Sequence, residues 1–327
     1  MMFYVGIDVS KQTLDCLWLR DPEALKVKTK VFSNSAEGHL SLGEWLRKTV
    51  STEESSIHVV MEATGVYHEA LAYALEAQGF LVSLVNPAFI RDFAKGLGSR
   101  HKTDKKDSLI LARYGALVQP DRWVPEPEEI RALKALLARL SALEKDLQRE
   151  LNRREKAEIS QSSAVVLDSI TVMVDQLRQE VARVRQQIDD HIDRHPDLKS
   201  DRELLSSIPA IAQVMSREML GVLRGRDFNN AGQVAAFMGL VPKLQESGQW
   251  RGRTTLTKNG NSRLRAKLYL AAVVATKHNP DVRAQYQRLL KAGKTKMQAI
   301  GAAMRKLVQI CYGVLKHQSE YQPQCAI

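Results

Sequence analysis

The sequence predicts an α/β domain followed by an all-α remainder. Two observations carry this. Short alternating or fully apolar segments, the mark of strands, fall within residues 3–87 and interleave there with helical periods. Beyond a proline-rich stretch at 117–127, leucine and valine recur every three or four residues over long spans.

Residues 3–8 (FYVGID) form an apolar run that ends in an acid, and 13–20 alternates Leu14, Cys16 and Trp18 against polar partners. Residues 26–34 (KVKTKVFSN) alternate similarly, so three strands with short links predict an antiparallel meander. Helical spacing follows at 38–50, with Leu40, Leu42, Trp45 and Leu46. SIHVVMEATG (56–65) reads as a buried strand running into Glu62, then 67–78 as a helix, 80–87 as a strand and 88–95 as a short helix. A further helix opens in HKTDKKDSLILARY (101–114). Three strands, helix, strand, helix, strand, helix is the order of a ribonuclease-H-like domain.

Residues 117–127 carry three prolines and no period, which predicts a linker. From 128 to about 192 two long amphipathic helices are expected, broken near 160–163. Leu133, Leu136, Leu137, Leu140, Leu143 and Leu147 line the first; Val165, Leu167, Ile170, Val174, Leu177, Val181, Val184 and Ile188 line the second. The pair reads equally as a structural antiparallel hairpin or as a coiled-coil arm for self-association. Residues 204–223 have the outline of a helix-hairpin-helix with its turn at 208–212, but Ala210 and Ala212 stand where glycines would let backbone N–H groups reach a phosphate. A short helix at 231–242 ends in Gly and Pro, and 244–265 is polar and basic with a β-hairpin around Trp250 and 254–257. Asn261 or Ser262 would cap a helix over 263–277, with helices at 281–291 and 294–315 to follow. The expected parts are 1–120, 121–198 and 199–327.

The 327 residues hold 48 Lys plus Arg against 37 Asp plus Glu, a net charge of +11. Such a surface suits a polyanion, nucleic acid before an anionic membrane. No apolar run approaches the ~18 residues of a membrane span, and MMFYVGIDVSK, with Asp8, reads as a strand rather than a signal peptide. Cys16, Cys311 and Cys325 have no CxxC spacing, which disfavours zinc or disulfides and fits a reducing cytosol.

Asp104 and Asp107 share one helix face, flanked by Lys102, Lys105 and Lys106. Such a run also suits a plain solvated helix start. Asp8 and Glu62 end strands that neighbour each other in a ribonuclease-H-like sheet, so four carboxylates can converge. Two such charges ~4 Å apart repel by roughly 4 kcal/mol at an effective dielectric near 20, so a cluster of them calls for cations. All-oxygen ligands select Mg²⁺ or Mn²⁺, and paired ions of this kind serve phosphodiester chemistry. Tyr67 and His68 read as helix-face packing rather than ligands.

GIDVSK, VVMEATGVYHE, VNP and KTDKKDSLILARY resemble the N-terminal half of the IS110-family transposases, or bridge-RNA-guided recombinases. SIPAIA, FNNAGQVAAFMGLVP, ESG and KNGNSRLRAKLYLAA resemble the family's C-terminal transposase domain. The resemblance spans nearly the whole chain. It implies a RuvC-like domain whose DEDD tetrad is Asp8, Glu62, Asp104 and Asp107. It also implies a serine nucleophile at Ser247, which would attack a DNA phosphodiester and leave a phosphoserine link and a free 3′ hydroxyl. Read from the residues alone, Ser247 is a turn serine, and Ser262 is a likelier cap than a nucleophile. Arg251 and Arg253 could then hold the scissile phosphate, and Lys102 and Lys105 could contact it or merely offset charge. The resemblance further implies donor and target DNA as partners, a structured noncoding guide RNA, a homodimer or tetramer, and a cytoplasmic, nucleoid-associated enzyme. The alternatives are a RuvC-like junction resolvase, which cuts with activated water, and a non-catalytic nucleic-acid-binding protein on a degenerate nuclease fold.

Overall fold

The computed structural model describes residues 2–63, 65–97, 104–243, 246–247, 250–251, 255–257 and 260–324; the side chains of 104–106, 246–247 and 250–251 lie outside that description. The chain divides into two compact units, Met1–Pro125 and Glu126–Ile327.

In the first unit, β1 (Phe3–Val9), β2 (Thr13–Asp21) and β3 (Lys26–Ser33) form the expected meander. Then come α1 (Ala36–Thr49), a 3₁₀ turn at Glu54–Ser56, β4 (Ile57–Glu62), α2 (Glu69–Ala77), β5 (Leu81–Val85), α3 (Pro87–Gly96) and α4 (Asp104–Val118). The sheet order is β3-β2-β1-β4-β5, with β1–β2 and β2–β3 antiparallel and β1–β4 and β4–β5 parallel. This is the ribonuclease-H-like arrangement. Local chemistry marks the helix starts: the Ser35 side chain accepts from the Gly38 N–H, and Asn86 accepts from the Ala88 N–H ahead of Pro87.

The sheet is covered on both faces. Val5, Ile7, Val59 and Met61 pack with Leu42, Leu46, Leu71 and Leu75 of α1 and α2. Val60 packs with Ile110 and Leu111 of α4. Because α4 also lies on β2, Leu17 and Leu19 are buried with Ala112, and β2 is not the one-sided alternating strand expected. On edge strand β3 the outcome is opposite: Val31 is exposed along with Lys26, Lys28 and Lys30, and lysines on an edge discourage further strand pairing.

The expected linker begins later than the sequence suggests. Residues 117 and 118 finish α4, and the next few form a strap along β5. There the Trp123 N–H donates to the Val82 carbonyl at 2.7 Å, and the Ser83 hydroxyl donates to the Asp121 carbonyl at 2.7 Å. Trp123 packs edge-on to Tyr73.

In the second unit, α5 (Glu128–Ile159) and α6 (Ala164–Arg194) form an antiparallel hairpin that breaks at 160–163, as expected. Arg185 pairs with Glu144 at 2.8 Å, and His191 Nε2 donates to the Glu129 carbonyl at 2.8 Å. The seam does not extend to the tip, where Val165 is 79% exposed. The chain continues as α7 (Pro196–Ser206), α8 (Gln213–Leu223) and α9 (Ala231–Phe237). Among the described residues, four two-residue strands follow: β6 (Pro242–Lys243), β7 (Glu246–Ser247), β8 (Trp250–Arg251) and β9 (Thr255–Leu256). Last come α10 (Ser262–His278), α11 (Pro280–Lys291) and α12 (Lys296–His317). One core runs through this unit, joining Leu133, Ile188, Met219, Leu268 and Leu307. Ala210 has φ of 82° in the turn between α7 and α8, so the hairpin keeps a glycine-type backbone while carrying a methyl group. Among the described residues no helix is long and apolar enough to cross a membrane.

Candidate active site

β1 and β4 run parallel with Gly6 opposite Val60 and Ile7 opposite Met61. One residue further, Asp8 and Glu62 stand at the carboxyl ends of adjacent strands. Side chains alternate along a strand, so both share the face of Gly6 and Val60, which is the face that α4 covers.

The seating of α4 is unusually close. A methyl group built on Gly6 would lie 2.0 Å from the Ser108 carbonyl oxygen and 2.6 Å from the Ala112 nitrogen. Only a residue without Cβ lets the helix backbone meet the strand here. Ser108, itself buried, donates its hydroxyl to the Asp15 carbonyl at 2.7 Å. These two contacts fix the first turns of α4, and with them the backbone of Asp104 and Asp107, beside the end of β1.

Sequence reasoning passed over three residues here. Asp15 pairs directly with Asp8 across β1 and β2, which puts a further carboxylate on the same face. Asn34 Nδ2 donates to the Ser10 carbonyl at 2.9 Å and the Tyr67 carbonyl at 3.1 Å, tying together the turns that follow Asp8 and Glu62. His39 Nε2 donates to Asn34 Oδ1 at 2.8 Å, and burial holds its pKa below the ordinary histidine value. The pairing of Asp8 with Asp15 was the one signal available beforehand, through a short hairpin register. His68 is buried ahead of α2, whereas Tyr67 lies in a turn and is 45% exposed, so the helix-face packing expected of Tyr67 does not occur.

The donors offered at this end are carboxylate oxygens, the type a hard divalent cation takes. Among the described residues no three His, Cys, Asp or Glu side chains are gathered closely enough to hold a metal ion; the Asp104 side chain lies outside them.

In the second unit, Glu246 pairs with Arg251 and Ser247 with Trp250. The outer pair β6–β9 matches Pro242 with Leu256 and Lys243 with Thr255. The side chains of Ser247, Arg251 and Lys105, and all of Lys102 and Arg253, lie outside the described residues. Asn261 caps α10, accepting from the Arg263 and Leu264 N–H groups, which leaves Ser262 as the first helical residue. Burial raises the pKa of both described thiols, with Asp15 adding to the effect on Cys16 and Cys311 pushed up to about 12. Neither forms a disulfide.

Residues 5–157 match the DEDD transposase model of the IS110 type. A pilin gene-inverting protein from Moraxella lacunata is 32% identical over 321 residues, 97% of both chains. The chain belongs to the IS110 family of transposases. A second match, to the transposase IS116/IS110/IS902 family, covers residues 202–287 of this IS110-family member and includes α8, α9, the paired short strands and α10. The uncharacterized 42 kDa protein of insertion element IS900 from Mycobacterium paratuberculosis is 26% identical over 165 residues, half of this chain and 40% of that one. The IS110-family chain is thus a DNA recombination enzyme of insertion sequences, and DNA is its partner.

Proposed function

We propose that this transposase cuts and rejoins DNA through a phosphoserine link at Ser247, with a metal site built from Asp8, Glu62, Asp104 and Asp107. The observation that carries the reading is the β1–β4 register, which sets Asp8 beside Glu62 on the face where α4 is seated over Gly6. A Mg²⁺ or Mn²⁺ ion held by these carboxylates would supply positive charge to the phosphate at which negative charge builds.

The Ser247 hydroxyl oxygen forms a bond to phosphorus and gives up its proton. The P–O3′ bond breaks, and the departing 3′ oxygen takes up a proton to become a hydroxyl. Attack on the phosphoserine by a 3′ hydroxyl of the exchanged strand reverses these steps and frees the serine. The Moraxella relatives are named for gene inversion, and inversion requires every cut end to be resealed, which a conserved phosphodiester-level link permits without an external energy source. Arg251 and Arg253 are suited to hold the phosphate by paired N–H donors, and Lys102 and Lys105 offer further charge. A structured noncoding RNA chooses donor and target DNA, and the enzyme assembles as a dimer or tetramer in the bacterial nucleoid. Residues 1–120, 121–198 and 199–327 serve as acid domain, arm and serine domain.

Strand cleavage by the Ser247→Ala protein tests the reading. Loss of cleavage is expected. Unchanged cleavage would favour a junction resolvase, and full activity of Asp8→Asn with Asp104→Asn would remove any metal role for these acids. Sequencing of RNA that copurifies with the protein checks the guide.

A further inference from the structure

The second unit holds a cleft of about 600 Å³, walled by α5, α8, the end of α9 and the start of α10. Its lining carries Lys134, Arg263 and Lys267 with one carboxylate, Glu218, and Lys134 is ion-paired to Glu126. Lys267 pairs with Glu218 at 2.6 Å. Arg263 is exposed and bonds a hydroxyl, Ser141 Oγ, at 2.9 Å, so its guanidinium remains available to an anion. The first turn of the 17-residue α10 faces the same space and adds N–H donors and the positive end of a helix dipole.

The cleft also has an aromatic wall. Phe237, the last residue of α9, is 46% exposed, and the Arg226 guanidinium lies 5.6 Å from its ring centre. Phe228 packs edge-on at 5.7 Å and steadies the ring. Gly260 has φ of +79°, and a methyl group built on it would come 2.5 Å from the Phe237 carbonyl, so Gly260 lies tightly against the end of α9. The end of α9 and the start of α10 are thus in backbone contact beside the ring. An exposed ring among cations is the combination that binds unpaired nucleotides, with bases stacking on the ring and phosphates meeting the cations.

We propose that this cleft seats a short stretch of single-stranded nucleic acid, with a base against Phe237 and its phosphates over Arg263, Lys267 and the first turn of α10. The proposal rests on the reading that Ser247 acts on a nucleic-acid strand, and it gives unpaired nucleotides of that substrate a seat in the same unit as Ser247.

The test is fluorescence anisotropy on the full chain with an unstructured oligonucleotide roughly 12 nucleotides long, made as DNA, as RNA, and as the DNA duplex. Phe237→Leu should weaken single-strand binding about fivefold or more without changing its salt dependence. Arg263→Gln should weaken it and reduce the salt slope by about 0.7. Lys291→Gln, which removes an exposed charge at the end of α11, should alter neither. A loss in either the DNA or the RNA arm supports the cleft and identifies its strand. Wild-type affinity in both Phe237→Leu and Arg263→Gln would overturn the proposal. So would an equal loss for the duplex, an equal loss in Lys291→Gln, or a loss in Arg263→Gln alone. Ser247→Ala should bind the oligonucleotide normally, so a failure of the serine chemistry is distinguishable from a failure of the cleft.

Discussion

The acid-bearing end of the sheet and the serine-bearing hairpin are built on different physical terms. Asp8 and Glu62 end strands of seven and six residues whose neighbours Val5, Ile7, Val59 and Met61 are fully buried. Among the described residues, Ser247 lies on a two-residue strand paired only to its hairpin neighbour. The acids are thus positioned by core packing, so distant core changes should reach them. The serine is held by a local ladder, so changes there should alter chemistry with little effect on folding.

The largest expected break in that contrast is Gly6→Ala. The new methyl group would overlap the Ser108 carbonyl, and relief requires α4 to move off β1. A loss of about 3 kcal/mol is expected from overpacking of this kind, together with loss of strand cleavage, read by chemical denaturation and a cleavage assay. Ser108→Ala should cost about 1 kcal/mol by removing the hydroxyl's hydrogen bond to the Asp15 carbonyl. It should also slow cleavage, because Asp107 is the preceding residue.

A smaller effect should follow from pH. Burial lowers the pKa of His58 and of His39. The unfolded chain therefore binds protons that the folded chain refuses. Stability of the first unit should be full above about pH 6.5, the ordinary histidine value, and fall as pH drops from there through the lowered folded values. Thermal melts between pH 7.5 and 5 check this, and His58→Gln should flatten part of the slope. The smallest effect is a gain: Ala210→Gly should stabilise the second unit by about 1 kcal/mol, since φ of 82° strains an alanine. Denaturant midpoints would measure it.

Much of the first unit was legible because strand order and the apolar runs of β1 and β4 carry their own signal. That reading brought Asp8 and Glu62 to neighbouring strands, where the register sets them. What was not legible depends on contacts distant in sequence. Gly6 reads as an ordinary strand residue until α4 is placed on it, and Ser108 until Asp15 lies beneath its hydroxyl. Leu17 and Leu19 look like the wet face of a strand that in fact has none. Asn34 is a generic turn residue whose amide joins two turns 57 positions apart, those of Ser10 and Tyr67. In the second unit the helical periods gave the hairpin and its break, but periodicity alone could not say that the seam stops short of Val165. The alanine at 210 argued against a glycine-type turn, and the backbone adopts that turn regardless.

The proposed reaction needs both the Asp8 carboxylate and the Ser247 hydroxyl. Mass spectrometry of the protein–DNA adduct, trapped by denaturation during strand exchange, tests it most directly. The account predicts DNA attached at Ser247, with the adduct absent from both Ser247→Ala and Asp8→Asn proteins that still fold. An adduct on another residue, or full adduct yield without Asp8, would contradict it.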